Sequence, residues 1–123
     1  MKKSIDAESR NNEFYTEERC YILELSNTPD DPEVSIARAR VEPGVTTRWH
    51  RLRGVTERYC IVSGTGRVEI EGQASREVRA NDVVFIPPMC RQRITNTGKE
   101  DLIFLAVCTP RFTPEIYFDA EEP

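Results

Sequence analysis

The chain contains one histidine, His50, and that single imidazole bounds its chemistry. A site built on two or three imidazoles from one chain is excluded by count. The four cysteines, Cys20, Cys60, Cys90 and Cys108, form no C-x-x-C pair. A structural zinc site of the usual spacing is therefore not expected, and in a reducing compartment these thiols read as small buried hydrophobes. Around His50 the sequence runs in short β-type segments, in which residues i and i+2 share a face. By that rule Arg48, His50 and Leu52 point one way, Glu57, Tyr59 and Ile61 share a face, and Gln92 and Ile94 share another. The apolar members must turn toward a core, and they carry His50, Glu57, Tyr59 and Gln92 inward with them. Polar groups so placed are costly unless they pair with one another, with a ligand or with water. An imidazole near a carboxylate suits proton transfer, with His50 as general acid/base and Glu57 orienting it and raising its pKa. Arg48 falls by parity at the mouth, where it could receive an anionic substrate. Tyr59 and Gln92 complete the candidate substrate-binding set.

These side chains need elements to position them. Residues 1–18 are polar and rich in Glu, Arg and Asn, with Phe14-Tyr15 as an anchor, and read as a loosely ordered arm. After it come β-type runs at Cys20–Leu25, Val34–Val41, Thr46–Leu52, Arg58–Ser63, Arg67–Ile70, Arg76–Arg79, Asp82–Ile86, Arg91–Asn96 and Leu102–Cys108. Pro43-Gly44, Gly64-Thr65-Gly66, Glu71-Gly72 and Pro87-Pro88 punctuate them. Short strands at spacings of roughly 8–12 residues predict an all-β antiparallel sandwich or barrel. Thr113-Pro114-Glu115 pairs a cap residue with proline at the first helical position, which predicts a short C-terminal helix through about Ala120. The expected organisation is an arm over 1–18, one β-barrel domain over 19–112, and a short helix and tail over 113–123. The last run has two equally apolar faces, Leu102, Phe104, Ala106 and Cys108 against Ile103, Leu105 and Val107, so the sequence does not choose between them.

Composition narrows the partners. Seventeen Lys and Arg against 21 Asp and Glu leave a net charge of −4 over 123 residues, which argues against nucleic acid, whose phosphates select clustered cations. The longest apolar run, Leu102–Cys108, is far shorter than the ~20 residues of a membrane span. The opening Met1-Lys2-Lys3-Ser4-Ile5-Asp6 turns polar at once, with no signal-peptide core, so a cytoplasmic location is expected. Trp49 alternates away from His50 onto the outer face, where a dimer partner could cover it. Edge strands of an open sheet, the Cys20–Leu25 run among them, point to a homodimer.

The segment from Gly44 to Gly64 has the spacing G-x5-H-x-L-x4-E-x6-G, set by Gly44, His50, Leu52, Glu57 and Gly64. It resembles the first motif of the cupin superfamily, G-x5-H-x-H-x(3,4)-E-x6-G. The segment Asn81 to Asn96 is similar to the second, G-x5-P-x-G-x2-H-x3-N, with Pro87 and Asn96 in register and Asn81, Met89 and Gln92 in place of the two glycines and the histidine. The resemblance spans roughly residues 34–108 and implies a single jelly-roll barrel of the small bacterial type. It also implies a divalent-metal site at His50, Leu52, Glu57 and Gln92, of which Leu52 cannot coordinate and Gln92 offers only an amide oxygen. The remaining set, His50, Glu57 and Gln92, would favour Mn, Mg, Ca or Fe(II) over zinc or copper, and no organic cofactor is implied. With two ligands of four lost, isomerase- or lyase-type acid–base chemistry on a small molecule is expected ahead of O2 activation. The alternative is a non-catalytic small-ligand-binding or sensor domain.

Overall fold

The computed structural model describes residues 4–5 and 12–121, so part of the expected arm, residues 1–3 and 6–11, lies outside the described residues. Eleven strands form among the described residues: β1 (Phe14–Tyr15), β2 (Tyr21–Ser26), β3 (Ser35–Val41), β4 (His50–Leu52), β5 (Thr56–Ser63), β6 (Thr65–Ile70), β7 (Arg76–Arg79), β8 (Val83–Ile86), β9 (Gln92–Asn96), β10 (Leu102–Thr109) and β11 (Tyr117–Asp119). They pair antiparallel throughout, in a six-stranded sheet of order β1-β2-β3-β10-β5-β8 and a five-stranded sheet of order β11-β4-β9-β6-β7. The expected all-β jelly roll is the fold of the chain.

Alternation decides what each strand buries. On β5, Glu57, Tyr59 and Ile61 turn inward, and on β9 Gln92, Ile94 and Asn96 do the same. The ambiguous last strand resolves in favour of Leu102, Phe104 and Cys108, which are buried while Ile103, Leu105 and Val107 are less so. Val41, Ile61, Val68, Val84, Ile86, Ile94 and Leu102 join the two sheets in one cluster. Full burial of such branched side chains is worth about 1.5–3 kcal/mol each.

The turns explain two of the motif features. A Cβ at Gly64 (φ 87°) would stand 2.7 Å from the Asp101 carbonyl oxygen, so the β5–β6 turn can pass that backbone only with glycine. Asn81 (φ 77°) and Met89 (φ 63°) are left-handed at the two positions where the resembled motif carries glycine. The backbone has kept the conformation although the residue has changed.

Two expectations are corrected. The helix predicted from Thr113 to Ala120 is a single 3₁₀ turn, Pro114–Ile116, followed by strand β11. Thr113 is extended but makes no capping bond. Beyond the turn, β11 finds a free edge on β4, with Tyr117 opposite Leu52 and Asp119 opposite His50. The Arg53 N–H to Ile116 carbonyl and Ala120 N–H to Trp49 carbonyl bonds complete the pairing. Backbone donors and acceptors that a helix would have satisfied internally go to the sheet instead. The run Thr46–Leu52 also forms less strand than expected, because only His50–Leu52 joins the ladder. Thr47 turns inward just before it and exchanges bonds with the Ile94 backbone, which breaks the parity that had aligned Arg48 with His50.

Candidate active site

The site is assembled where one strand pair faces a strand of the other sheet. The β4–β9 ladder sets His50 directly opposite Gln92, and β5 brings Glu57 and Tyr59 from the other sheet. The Tyr59 hydroxyl donates to the Gln92 side-chain oxygen. His50 Nε2 faces Glu57 Oε1 at 3.9 Å. The other ring nitrogen, Nδ1, lies 3.1 Å from the Arg48 carbonyl oxygen and 3.9 Å from Glu18 Oε2, and the Tyr117 ring stacks on the imidazole at 5.3 Å. All four inward polar residues are buried: His50, Glu57, Gln92 and Tyr59. Glu57 Oε1 is buried with no hydrogen-bond partner, and Oε2 is 4.0 Å from the Cys108 thiol.

Beside this cluster lies a cavity of about 160 Å³, which Glu57 and Tyr59 help to line. It exists because β3 and β10 place small residues side by side at this end. Ala37 is registered with Ala106 and Ser35 with Cys108, and all four are in the wall. Phe14, Ile22, Phe104 and Phe112 add apolar surface, and Glu18 and Glu24 add carboxylates. His50 and Gln92 stand behind Glu57 and Tyr59, outside the lining set.

Burial opposes charge on His50, but Glu18, Glu57 and the Arg48 carbonyl outweigh it and raise its pKa from 6.5 to about 9. The same burial pushes Glu18 up, against the pull of His50. Tyr59 is raised well above its ordinary range by burial, with the nearby Glu57 and Glu18 carboxylates adding to it. Burial also lifts the Cys20 thiol to about 12 and Cys108 higher still, so neither is a thiolate at neutral pH. These two agree with the reading of cysteines as buried hydrophobes, while Cys60 and Cys90 are only half-buried.

Of the residues singled out from the sequence, His50, Glu57, Tyr59 and Gln92 come together and Arg48 does not. The Arg48 guanidinium forms a two-point pair with Asp119, Nε to Oδ1 at 3.1 Å and Nη2 to Oδ2 at 3.0 Å. Trp49 does lie on the outer face, where the Arg91 and Arg93 guanidiniums cover its ring at 4.2 and 4.4 Å. The residue missed was Glu18. It sat in a stretch that read as solvated arm, yet the β1–β2 turn fixes it. Thr16 Oγ1 accepts from the Glu18 N–H and donates to the Cys20 carbonyl, and the Arg48 N–H bonds the Glu18 carbonyl. Phe14-Tyr15 and the Cys20 run, separated by a threonine-led turn, were the available signal.

Comparison with known proteins adds a lineage. The Cupin_2 family model, described as a cupin domain, matches residues 37–108. An uncharacterized protein of Methanocaldococcus jannaschii is 29% identical over 104 residues, which is 83% of this chain and 82% of that protein. A Thermotoga maritima protein named as oxalate-binding is 37% identical over 71 residues, 58% of each chain. Among solved structures, KdgF from Halomonas sp. superposes with a TM-score of 0.74 at 16% identity, covering 85% of this chain and 94% of that one, a likeness of fold. No helix among the described residues is long and apolar enough to cross a membrane.

Proposed function

The chain belongs to the cupin-domain family, and from that premise we propose that it takes a small molecule into the barrel cavity and moves a proton on it, in isomerase- or lyase-type chemistry. The observation that carries this reading is Glu57 Oε1, a buried acceptor with no hydrogen-bond partner in a residue that lines the cavity. A buried carboxylate oxygen that meets an imidazole at 3.9 Å but accepts no hydrogen bond is costly to folding unless something arrives to use it. Glu57 is the group that meets the ligand and accepts its proton. His50, 3.9 Å behind it, is the neighbouring group that holds a proton, fixed by the Arg48 carbonyl and the Tyr117 ring. These roles reverse the order expected from the sequence, in which Glu57 oriented His50. Tyr59 holds Gln92 and walls the cavity.

Cupins often hold a metal, but a resident divalent ion does not fit this donor set. Leu52 packs with Val55 and Cys108, and the Gln92 oxygen already accepts from Tyr59. Among the described residues no three His, Cys, Asp or Glu side chains are placed to share an ion. Glu18 and Glu57 face opposite nitrogens of the one imidazole, so only one carboxylate and one ring nitrogen converge at either side, fewer protein ligands than even an open metal site uses.

The test is deuterium uptake. Incubation in D2O with a panel of small carbonyl compounds should show exchange at a carbon-bound position, slowed by about 10²–10⁴ in Glu57→Gln. A Glu57→Gln or His50→Ala variant that exchanges at the full rate would overturn the assignment. Stoichiometric binding with no exchange in any ligand would instead support a binding module, the second reading, which the relative named for binding oxalate favours.

A further inference from the structure

We propose that the molecule this cavity selects is an organic monocation, a small amine on an apolar body, and not a carboxylate; this rests on the reading that the cavity takes a small ligand. The wall holds three carboxylates, Glu18, Glu24 and Glu57, and no lysine or arginine. Three arginines of the surrounding strands and loops are engaged elsewhere, and Arg111, whose charge acts on Glu24, donates to Asn27. Arg40 pairs with Glu13 and Asp101, and Arg48 pairs with Asp119. Arg58 donates to Thr109 and lies over Phe85. Clustered acids alone would not make a site, but Glu57 is 7% exposed and its Oε1 has no hydrogen-bond partner. Around Glu57 and Glu18 the charge count is incomplete as well. Two carboxylates flank one imidazole, so a protonated His50 can balance only one of them when both are ionised.

The rest of the wall suits the same ligand. Phe14, Tyr59, Phe104 and Phe112 present rings, whose faces attract ammonium groups. Ala37, Ala39 and Ala106 leave room for an apolar body. A carboxylate in this space would meet no cationic wall residue and would lie against Glu57 and Glu18. Like charges in a partly dry cavity repel more strongly than in water. The oxalate dianion named for the Thermotoga maritima relative is the least suited of all to this lining.

Three probes with the same ring and different heads separate the cases: phenethylamine, 2-phenylethanol and 3-phenylpropanoate, each titrated into the full chain by calorimetry and ligand-observed NMR. The amine should bind at least about tenfold more tightly than the carboxylate, with the alcohol between them. Glu57→Gln should remove about tenfold of the amine's affinity while sparing the alcohol. Glu18→Gln should lower amine affinity in the same direction. The proposal is overturned if the carboxylate binds as tightly as the amine, if neither variant narrows the preference, or if none of the three binds up to about 10 mM. Amine binding with this preference, together with no deuterium exchange on any carbonyl compound, would sink the catalytic reading and leave this one standing. Exchange on a carboxylate ligand alone would do the reverse.

Discussion

Strands β5 and β9 run through both ends of the barrel, yet the ends are filled in opposite ways. At one end β5 turns Ile61 inward, and the β3–β10 pair closes the space with Val41 registered against Leu102. At the other end the same inward positions carry Glu57, Tyr59 and Gln92, and β3–β10 set alanine beside alanine. The pleat fixes which way a side chain points, and the size and polarity of that side chain fix whether any space remains. The proposed function belongs to the end where the packing stops. A barrel that merely needed stability would have carried the aliphatic layer through.

The largest effect that this contrast predicts is in the filled end. Leu102 is fully buried and registered against Val41, so Leu102→Ala should lower unfolding free energy by about 2–5 kcal/mol in urea titrations. Ala37→Gly, in the hollow end, should cost clearly less, because little packing surrounds it. Equal losses at the two positions would mean that the hollow end is as well packed as the filled one.

The second effect distinguishes the ends by pH. His50 is raised in the folded chain to about 9, above its ordinary 6.5. The stability this contributes is therefore complete below about pH 6.5 and is lost as pH rises through 9. It amounts to up to about 3 kcal/mol. Urea midpoints from pH 6 to 10 should fall across that window, and His50→Gln should flatten the fall. A profile that is flat in the parent chain would place no charged imidazole between Glu18 and Glu57.

A smaller effect comes from making the ends alike. Ala106→Leu adds apolar volume to the cavity wall opposite Ala37. It should raise stability by about 0.5–2 kcal/mol, as cavity filling commonly does, while phenethylamine binding disappears. Ligand binding that survives the filled cavity would locate the site elsewhere.

The contrast also accounts for what the sequence made readable. Alternation and the turn residues sufficed for most of the strands, and the motif spacing for the meeting of His50, Glu57 and Gln92, because these are properties of local backbone geometry. The left-handed Asn81 and Met89 carry the second motif through in conformation after its glycines have gone. Glu18 was not readable, since its position depends on how a turn docks against Thr46 and Arg48, which no periodicity encodes. Strand β11 was missed for a similar reason. The cap and proline at Thr113-Pro114 do start a turn, but the vacant edge of β4 competes for the backbone that follows. Arg48 failed because parity holds only inside a ladder, and the ladder begins two residues later.

That failure gives the last and smallest prediction. Arg48 precedes strand β4, outside the alternating set, and both ends of its guanidinium are held by Asp119 on the neighbouring strand. Exposed pairs of this kind contribute little to stability, and nothing in the geometry connects the guanidinium with the cavity wall. Arg48→Ala should therefore leave the affinity for phenethylamine within about twofold of the parent chain, and 3-phenylpropanoate should bind as poorly as before. If the variant instead lost a measurable affinity for the carboxylate, the arginine would have to leave Asp119 and swing to the mouth when an anion arrives. The hollow end would then contain a cation that the resting geometry conceals, and the acid-lined cavity would no longer be a reason to expect an amine.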